Sequence, residues 1–68
     1  MVQKVIDVIG VSREGFSEAA NDAIINASMT VREIRWARAQ EFEVRVTDDK
    51  IPEYRAHMKI YFDVEGRE

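Results

Sequence analysis

The spacing of apolar and polar residues changes twice along the chain, and these changes divide it into four elements. The stretch from Val2 to Val11 is dominated by β-branched residues and is typical of a strand. From about Arg13 to Val31 apolar residues recur every three or four positions, which indicates an amphipathic helix. From Ile34 to Val46 and from Ile51 to Val64 the period falls to two, which predicts two more strands. The predicted order is strand, helix, strand, strand.

The predicted helix has a candidate cap at its start and an alanine-rich apolar stripe. Ser12 directly precedes it, and a serine hydroxyl at an N-cap accepts a hydrogen bond from a free amide of the first turn. Gly15 lowers helix propensity, so we expect an irregular first turn. The stripe consists of Phe16, Ala19, Ala20, Ala23, Ile24, Ala27 and Val31. Because alanine projects little beyond the backbone, we expect the helix to lie close against a sheet.

The last two strands form a predicted hairpin around residues 47–50, where Asp48 and Asp49 favour a turn. Pro52 has no N–H and is expected at an unpaired or edge position near the hairpin tip. The helix returns the chain, so the first two strands run in one direction and the third runs against both, between them. The predicted fold class is α+β. It is a single β-α-β-β domain over residues 1–68, with a three-stranded antiparallel sheet wrapped on one face by one helix.

Pairing Thr47 with Lys50 fixes which residues share each face of the hairpin. The face toward the helix then carries Ala37, Ala39, Ala56, Met58, Ile60 and Phe62. The other face carries Ile34, Trp36, Arg38, Gln40, Phe42, Val44 and Val46 from one strand, and Glu53, Arg55, His57, Lys59 and Tyr61 from its partner. A single helix leaves this second face uncovered, and an exposed apolar patch usually marks an interface or a ligand groove. The strands also extend roughly 45 Å against about 28 Å for the helix, so we expect the hairpin to pack against other copies.

Composition supports assembly and excludes several classes of function. A chain of 68 residues forms one small core with a thin stability margin, which oligomerisation can widen. It has no cysteine and one histidine, which excludes disulfides, thiolate zinc sites and clusters of several histidines, and we predict no metal site. A net charge of −3 argues against a duplex nucleic-acid partner, which requires a basic face.

Membrane and catalytic roles are not indicated either. No apolar run approaches the ~20 residues that span a bilayer, and the first residues lack the apolar core of a leader peptide. We therefore expect a cytoplasmic protein without a membrane partner. No activated nucleophile, acid–base pair or phosphate-binding loop stands out, so we predict that the protein is not an enzyme. His57 has no second catalytic residue near it in sequence, and we interpret it as a surface or interface histidine.

Eight short segments carry a resemblance that covers nearly the whole chain: Lys4–Ile6, Gly10–Ser12, Ala23–Ile24, Ala27–Arg32, Arg35–Trp36, Tyr54, Met58–Ile60 and Phe62. In this order and with nearly gapless spacing, they resemble the dodecin family, small flavin-binding proteins that assemble as hollow dodecamers. The resemblance implies a β-α-β-β subunit, a homododecamer and a bound flavin such as riboflavin or FMN.

The resemblance also implies site residues. Trp36 matches the family tryptophan that stacks on the flavin ring, where two flavins share each site between symmetry-related tryptophans. Arg55 stands at a position that is usually glutamine, which hydrogen-bonds the pyrimidine edge of the ring. Arg38, Gln40 and Glu41 complete the candidate flavin-binding residues because they lie close to Trp36 in the sequence, not through the resemblance. Gln40 and Glu41 could reach the polar tail of a ligand, and structural roles are the alternative for both.

Arg55 leaves two hypotheses open, because arginine offers only donors where glutamine offers a donor and an acceptor. Under the first, the protein stores flavin and quenches its photoexcited state by stacking on Trp36. Under the second, the same oligomer is a scaffold that binds no flavin, or binds another small anionic ligand through charge-assisted hydrogen bonds.

Overall fold

A computed structural model of the chain describes residues 2–64, which contain three strands and one helix. β1 spans Val2–Ser12, α1 spans Phe16–Ser28, β2 spans Ile34–Val46 and β3 spans Pro52–Val64. The strands form one antiparallel sheet in the order β1-β3-β2, and α1 packs on one side of it. The predicted fold class, the central third strand and the bounds of β2 are confirmed. Residues 1 and 65–68 of the predicted domain lie outside the described residues.

The helix begins later and ends earlier than predicted, at Phe16 and Ser28 instead of about Arg13 and Val31, and Ser12 is not its N-cap. Ser12 is the last residue of β1, paired with Tyr54, and its Oγ accepts a hydrogen bond at 3.0 Å from the N–H of Glu14 in the following loop. Gly15 is the N-cap, with an extended backbone, and its carbonyl accepts the N–H of Ala19 at 3.1 Å. The prediction failed because sheet pairing holds Ser12 in a strand.

Pro52 and the hairpin turn lie where the sequence places them. Pro52 is the first residue of β3 and pairs only with Val46 at the end of β2. β1 ends two residues short of it, so the missing N–H of Pro52 breaks no ladder with β1. In the turn, the N–H of Lys50 donates to the carbonyl of Thr47 at 2.8 Å, and Lys50 adopts the left-handed region with φ 62°.

The core lies where α1 crosses β1 and β3, and most of its side chains are small. Its buried residues are Ala19, Ala23, Ala27, Ala56, Met58 and Ile60. Gly10 of β1 lies directly beneath α1. A Cβ built on Gly10 would lie 1.8 Å from the carbonyl oxygen of Ala19 and 3.0 Å from the amide nitrogen of Ala23. Helix and strand therefore approach each other this closely only because position 10 has no side chain.

β2 follows the predicted register over only part of its length. Trp36 pairs with Tyr61 and Ala39 with Met58, as predicted, but the register shifts on either side of this stretch. At Arg35 and at Gln40, β2 has one residue more than β3. Because side chains alternate between the faces of a strand, each extra residue transfers the following residues to the opposite face.

The predicted faces of the hairpin are therefore wrong beyond these two bulges. Four apolar residues assigned to the face away from the helix lie on the helix side instead: Ile34, Phe42, Val44 and Val46. Phe42 pairs with the buried Ala56. The ring of Phe16, at the start of α1, lies 5.0 Å from that of Phe42 and 5.1 Å from that of Tyr54 between centroids. The bulge at Gln40 thus brings Phe42 of β2 into contact with Phe16, the first residue of α1.

The side of the sheet away from α1 is called the open face below. It carries Val5, Asp7, Ile9 and Val11 of β1, Trp36, Arg38, Glu41, Glu43 and Arg45 of β2, and Glu53, Arg55, His57, Lys59 and Tyr61 of β3. No part of residues 2–64 packs on it, and its four large apolar side chains in β1 and β2 are 40 to 54% exposed. The protein measures 54 × 19 × 16 Å, while α1 is about 20 Å long. The prediction that one helix leaves a face and part of the hairpin uncovered is confirmed.

Candidate functional site

An aromatic pair lies on the open face near the start of β2. Trp36 is 54% exposed, and its ring centroid is 5.2 Å from that of the cross-strand Tyr61, with the rings inclined at 61°. Edge-to-face contacts of this kind are favourable because the positive ring edge meets the negative ring face. Arg38, two residues along the same strand, places its Cζ 5.6 Å from the Trp36 centroid and 6.0 Å from the Tyr61 centroid. The site therefore offers an exposed indole with a guanidinium held over it by cation–π attraction.

The bulge at Arg35 fixes the strand next to this pair. Arg35 Nε donates to Asp63 Oδ2 at 2.7 Å and its Nη2 donates to Glu33 Oε1 at 2.9 Å, while Gln3 Nε2 donates to Asp63 Oδ1 at 3.0 Å. The hydrogen bond from Arg35, and after it that from Gln3, holds the pKa of Asp63 below its usual range. In turn, the hydrogen bond with Asp63 raises the pKa of Arg35. Side chains from all three strands thus meet one residue before Trp36.

Arg55 lies far from Trp36 along the sheet. It is six residues from Tyr61 on β3, which corresponds to roughly 20 Å in an extended strand. Its nearest acidic partner is Glu53, with 3.8 Å between Arg55 Nη1 and Glu53 Oε1. The structure places both candidate residues on the open face, but it does not bring them together within one chain.

The remaining candidates surround the second bulge. Gln40 is the extra residue, and Glu41 faces His57 across the strands. His57 Nε2 lies 2.7 Å from Glu43 Oε1, so Glu41, Glu43 and His57 form one group of polar side chains. The strict alternation predicted from the sequence put both glutamates on the helix side and therefore missed this group.

The dodecin family model matches residues 2–65 of the sequence, nearly its whole length. The chain belongs to the dodecin family. The resemblance inferred from the eight sequence segments is thereby confirmed.

Solved dodecin structures share the fold over almost their full length. The tt0972 protein of Thermus thermophilus is 26% identical with a TM-score of 0.89, and 97% of each chain is covered. The dodecin of Streptomyces davaonensis is 28% identical with a TM-score of 0.88 and 96% coverage of each chain. Calcium dodecin of Mycobacterium tuberculosis, a calcium-chelating antigen with a novel calcium-binding site, is 32% identical with a TM-score of 0.88, covering 100% of this chain and 97% of its own. A comparison with curated proteins found no match.

In this dodecin, the predicted flavin-binding residues divide into three places along the open face. Trp36 and Arg38 lie together with Tyr61, which is not among the predicted flavin-binding residues. Gln40 and Glu41 lie at the second bulge, and Arg55 lies beside Glu53 toward the hairpin tip. The cross-strand pairing of Trp36 with Tyr61 was the available signal for the aromatic pair. Across residues 2–64, no helix has the length and apolar character needed to cross a membrane.

Proposed function

We propose that this dodecin binds a flavin, such as riboflavin or FMN, at junctions between copies of itself in a homododecamer. The role is to sequester the flavin and quench its excited state, without turnover. The observation that carries the proposal is the 54% exposure of Trp36 on a sheet face that its own helix does not cover. A large exposed indole held in place by two neighbours is suited to stack on a planar aromatic ligand.

The physics of stacking supports flavin as the ligand. The isoalloxazine ring is flat, and burying it against the indole removes apolar area from water on both surfaces. A stacked indole is also close enough to donate an electron to the photoexcited ring, which returns the flavin to its ground state without light emission. The guanidinium of Arg38, over the Trp36 ring, would then lie beside the ligand and favour electron-rich or anionic groups on it.

Assembly is supported by the rest of the open face. Val5, Ile9 and Val11 present exposed apolar side chains beside charged ones, a mixture typical of interfaces between subunits. Arg55 and Trp36 lie roughly 20 Å apart in one chain. Arg55 can therefore reach a ligand stacked on a Trp36 side chain only when the two residues come from different copies. A shared site between copies accounts for both residues.

A fluorescence titration tests flavin binding. Free riboflavin and FMN are titrated with the protein while flavin emission is followed, and native mass spectrometry gives the number of chains. We expect saturable quenching by a dodecamer. Loss of an aromatic stacking partner typically removes about 1–3 kcal/mol, so Trp36→Ala should weaken flavin binding roughly 5- to 150-fold. Ile25→Ala, which trims an equally exposed apolar side chain on the outer side of α1, is the matched control and should leave binding unchanged. Absence of quenching, or equal quenching by Trp36→Ala, refutes the proposal.

Arg55→Gln separates the flavin hypothesis from the scaffold hypothesis. If the wild-type protein binds flavin, the variant alters an existing affinity. If flavin affinity appears only in Arg55→Gln, the wild-type protein is an oligomeric scaffold or takes another small anionic ligand. The native mass of both proteins shows whether assembly is unaffected by the change.

A further inference from the structure

Three side chains with metal-binding atoms meet on the open face beside the bulge at Gln40. Glu41, Glu43 and His57 each bring one donor atom to within 4.8 Å of the other two. His57 Nε2 and Glu43 Oε1 are 2.7 Å apart, and Glu41 lies directly opposite His57 in the register. We propose that this Glu41–Glu43–His57 cluster binds one divalent transition-metal ion of the Zn²⁺ type.

The bulge at Gln40 is what assembles the cluster. In a regular ladder continuing the pairing of Ala39 with Met58, His57 would face Gln40, and both glutamates would lie on the helix side. The extra residue turns Glu41 and Glu43 onto the open face together, two positions apart, with His57 across from them. Bulges commonly re-aim side chains in this way next to functional sites.

The donor set fits a transition metal better than calcium or magnesium. One imidazole nitrogen and two carboxylate oxygens are ligands that zinc accepts, whereas calcium and magnesium favour oxygen ligands alone. A tetrahedral ion with bonds near 2.1 Å holds its donors about 3.4 Å apart. Donors now within 4.8 Å of one another must therefore move by little more than about 1 Å. Glu43 is 52% exposed and His57 30% exposed, so both have room to adjust, and a fourth position stays open for water.

The charges of the two glutamates are consistent with a cation at this place. Glu41 and Glu43 place two like charges on neighbouring positions of one face, and within residues 2–64 no ion pair involves Glu41. Arg55 is the register partner of Glu43, yet its ion pair is with Glu53 at 3.8 Å. A bound divalent cation neutralises the pair of carboxylates, which the side chains around them do only in part.

Competition between the protein and a chromophoric chelator for Zn²⁺ tests the site, with Ca²⁺ measured alongside. We expect one Zn²⁺ per chain, bound more tightly than Ca²⁺. Loss of partners that only orient metal ligands costs about 10- to 100-fold in affinity, so removal of a ligand itself in His57→Gln, Glu41→Gln or Glu43→Gln should cost at least about tenfold. Co²⁺ should give the visible absorption of a low-symmetry site, which His57→Gln abolishes. Asp48→Asn, which removes one carboxylate from the hairpin turn, is the charge-matched control and should bind Zn²⁺ as the wild type does.

The outcomes separate this site from the flavin site and from a simple surface ion pair. Tyr61 is four residues from His57, about 13 Å along β3, so Trp36→Ala should keep its Zn²⁺ affinity even if it loses flavin. Circular dichroism shows whether each variant folds. If His57→Gln does not fold, the milder Glu41→Gln is used in its place. If the wild type takes up no Zn²⁺ saturably, or if His57→Gln and Glu41→Gln both take up Zn²⁺ as tightly as the wild type, the cluster is an ion pair only and the proposal is overturned.

Discussion

Replacing Gly10 with alanine should push α1 away from β1 and destabilise the fold. The new methyl carbon would lie 1.8 Å from the carbonyl oxygen of Ala19, where an ordinary contact is 3.4 Å or more. Helix and strand must therefore separate locally by about 1.6 Å. The obstacle is main chain on both sides, so no side-chain rotation can relieve the overlap. The backbone of Gly10 does not have positive φ, so the expected effect is steric and not conformational.

The magnitude follows from the cost of overpacking a core. Extra methyl groups in packed interiors cost about 1–3 kcal/mol and occasionally more. An unyielding backbone places Gly10→Ala at the upper end, about 3 kcal/mol. A domain of this size has a margin of about 3–5 kcal/mol from a single core. The expected fall in melting temperature is roughly 12–24 °C.

Urea unfolding followed by far-ultraviolet circular dichroism measures the effect. Wild type and variants are compared at one protein concentration, because self-association adds to apparent stability. Gly15→Ala is the matched control. Its backbone is extended, with φ 168°, and a new Cβ would contact only the mobile end of Glu18. Because alanine is less favourable than glycine at an N-cap while it also restricts the unfolded chain, the two effects oppose each other, and Gly15→Ala should stay within about 1 kcal/mol of the wild type. A Gly10→Ala protein within about 0.5 kcal/mol of the wild type, the range of an ordinary surface change, would refute the close-approach argument.

Three further predictions concern the packing and the two bulges. Phe16→Ala should lower the free energy of unfolding by about 2 kcal/mol in urea melts, less than the 3–5 kcal/mol typical of a fully buried ring, while Phe16→Leu loses much less. Because the pKa of Asp63 is depressed in the folded state, its contribution to stability is complete above about pH 4 and is lost as pH falls through the lower folded value. Melting temperatures from pH 6 to pH 2 should fall more steeply for the wild type than for Asp63→Asn, and parallel curves would contradict this. Deleting Gln40 should lower the melting temperature far more than Gln40→Ala does, since only the deletion turns the side chains of the outer half of β2 to the opposite face. Equal melting temperatures for the two variants would contradict this role of the bulge.

The helix and strands were predictable from the sequence because the spacing of apolar residues shows which backbone conformation, helix or strand, can bury them along one side. The bounds of β2 match, and the close packing of α1 was foreseeable from its alanines. The start of α1 was not, since Ser12 satisfies the local requirements of a cap while its pairing with Tyr54 depends on a residue distant in sequence.

The bulges were missed although the apolar positions contain a signal for them. With Trp36 set aside as an outward-facing residue, the apolar position of β2 is even at Ile34, odd at Ala37 and Ala39, and even again from Phe42. A regular strand cannot bury all of these on one side, so each change of parity marks an extra residue. Fixing the register from the turn alone hid that change.

The candidate site was predictable in kind but not in arrangement. Counting one helix against one sheet was enough to expect Trp36 on an uncovered face. The predicted pairing of Trp36 with Tyr61, which is correct, already set Arg55 six residues away, or roughly 20 Å. That spacing was the overlooked sign that the two residues cannot meet within one chain. Glu41 and Glu43 lie beside His57 only because of the bulge at Gln40, and a prediction that assumes strict alternation of side chains contains no bulge.

The bulge at Gln40 changes which positions of β2 face outward on the open face. Between the bulges at Arg35 and Gln40, the outward side chains of β2 have even numbers, as Trp36 and Arg38 do; after Gln40 they have odd numbers, as Glu41 and Glu43 do. One inserted or lost residue near position 40 would therefore exchange the faces occupied by Phe42 and by Glu41 and Glu43, at a cost in hairpin stability. In protein design or in evolution, an insertion or deletion at this one position can therefore change which face half a strand presents, without any substitution.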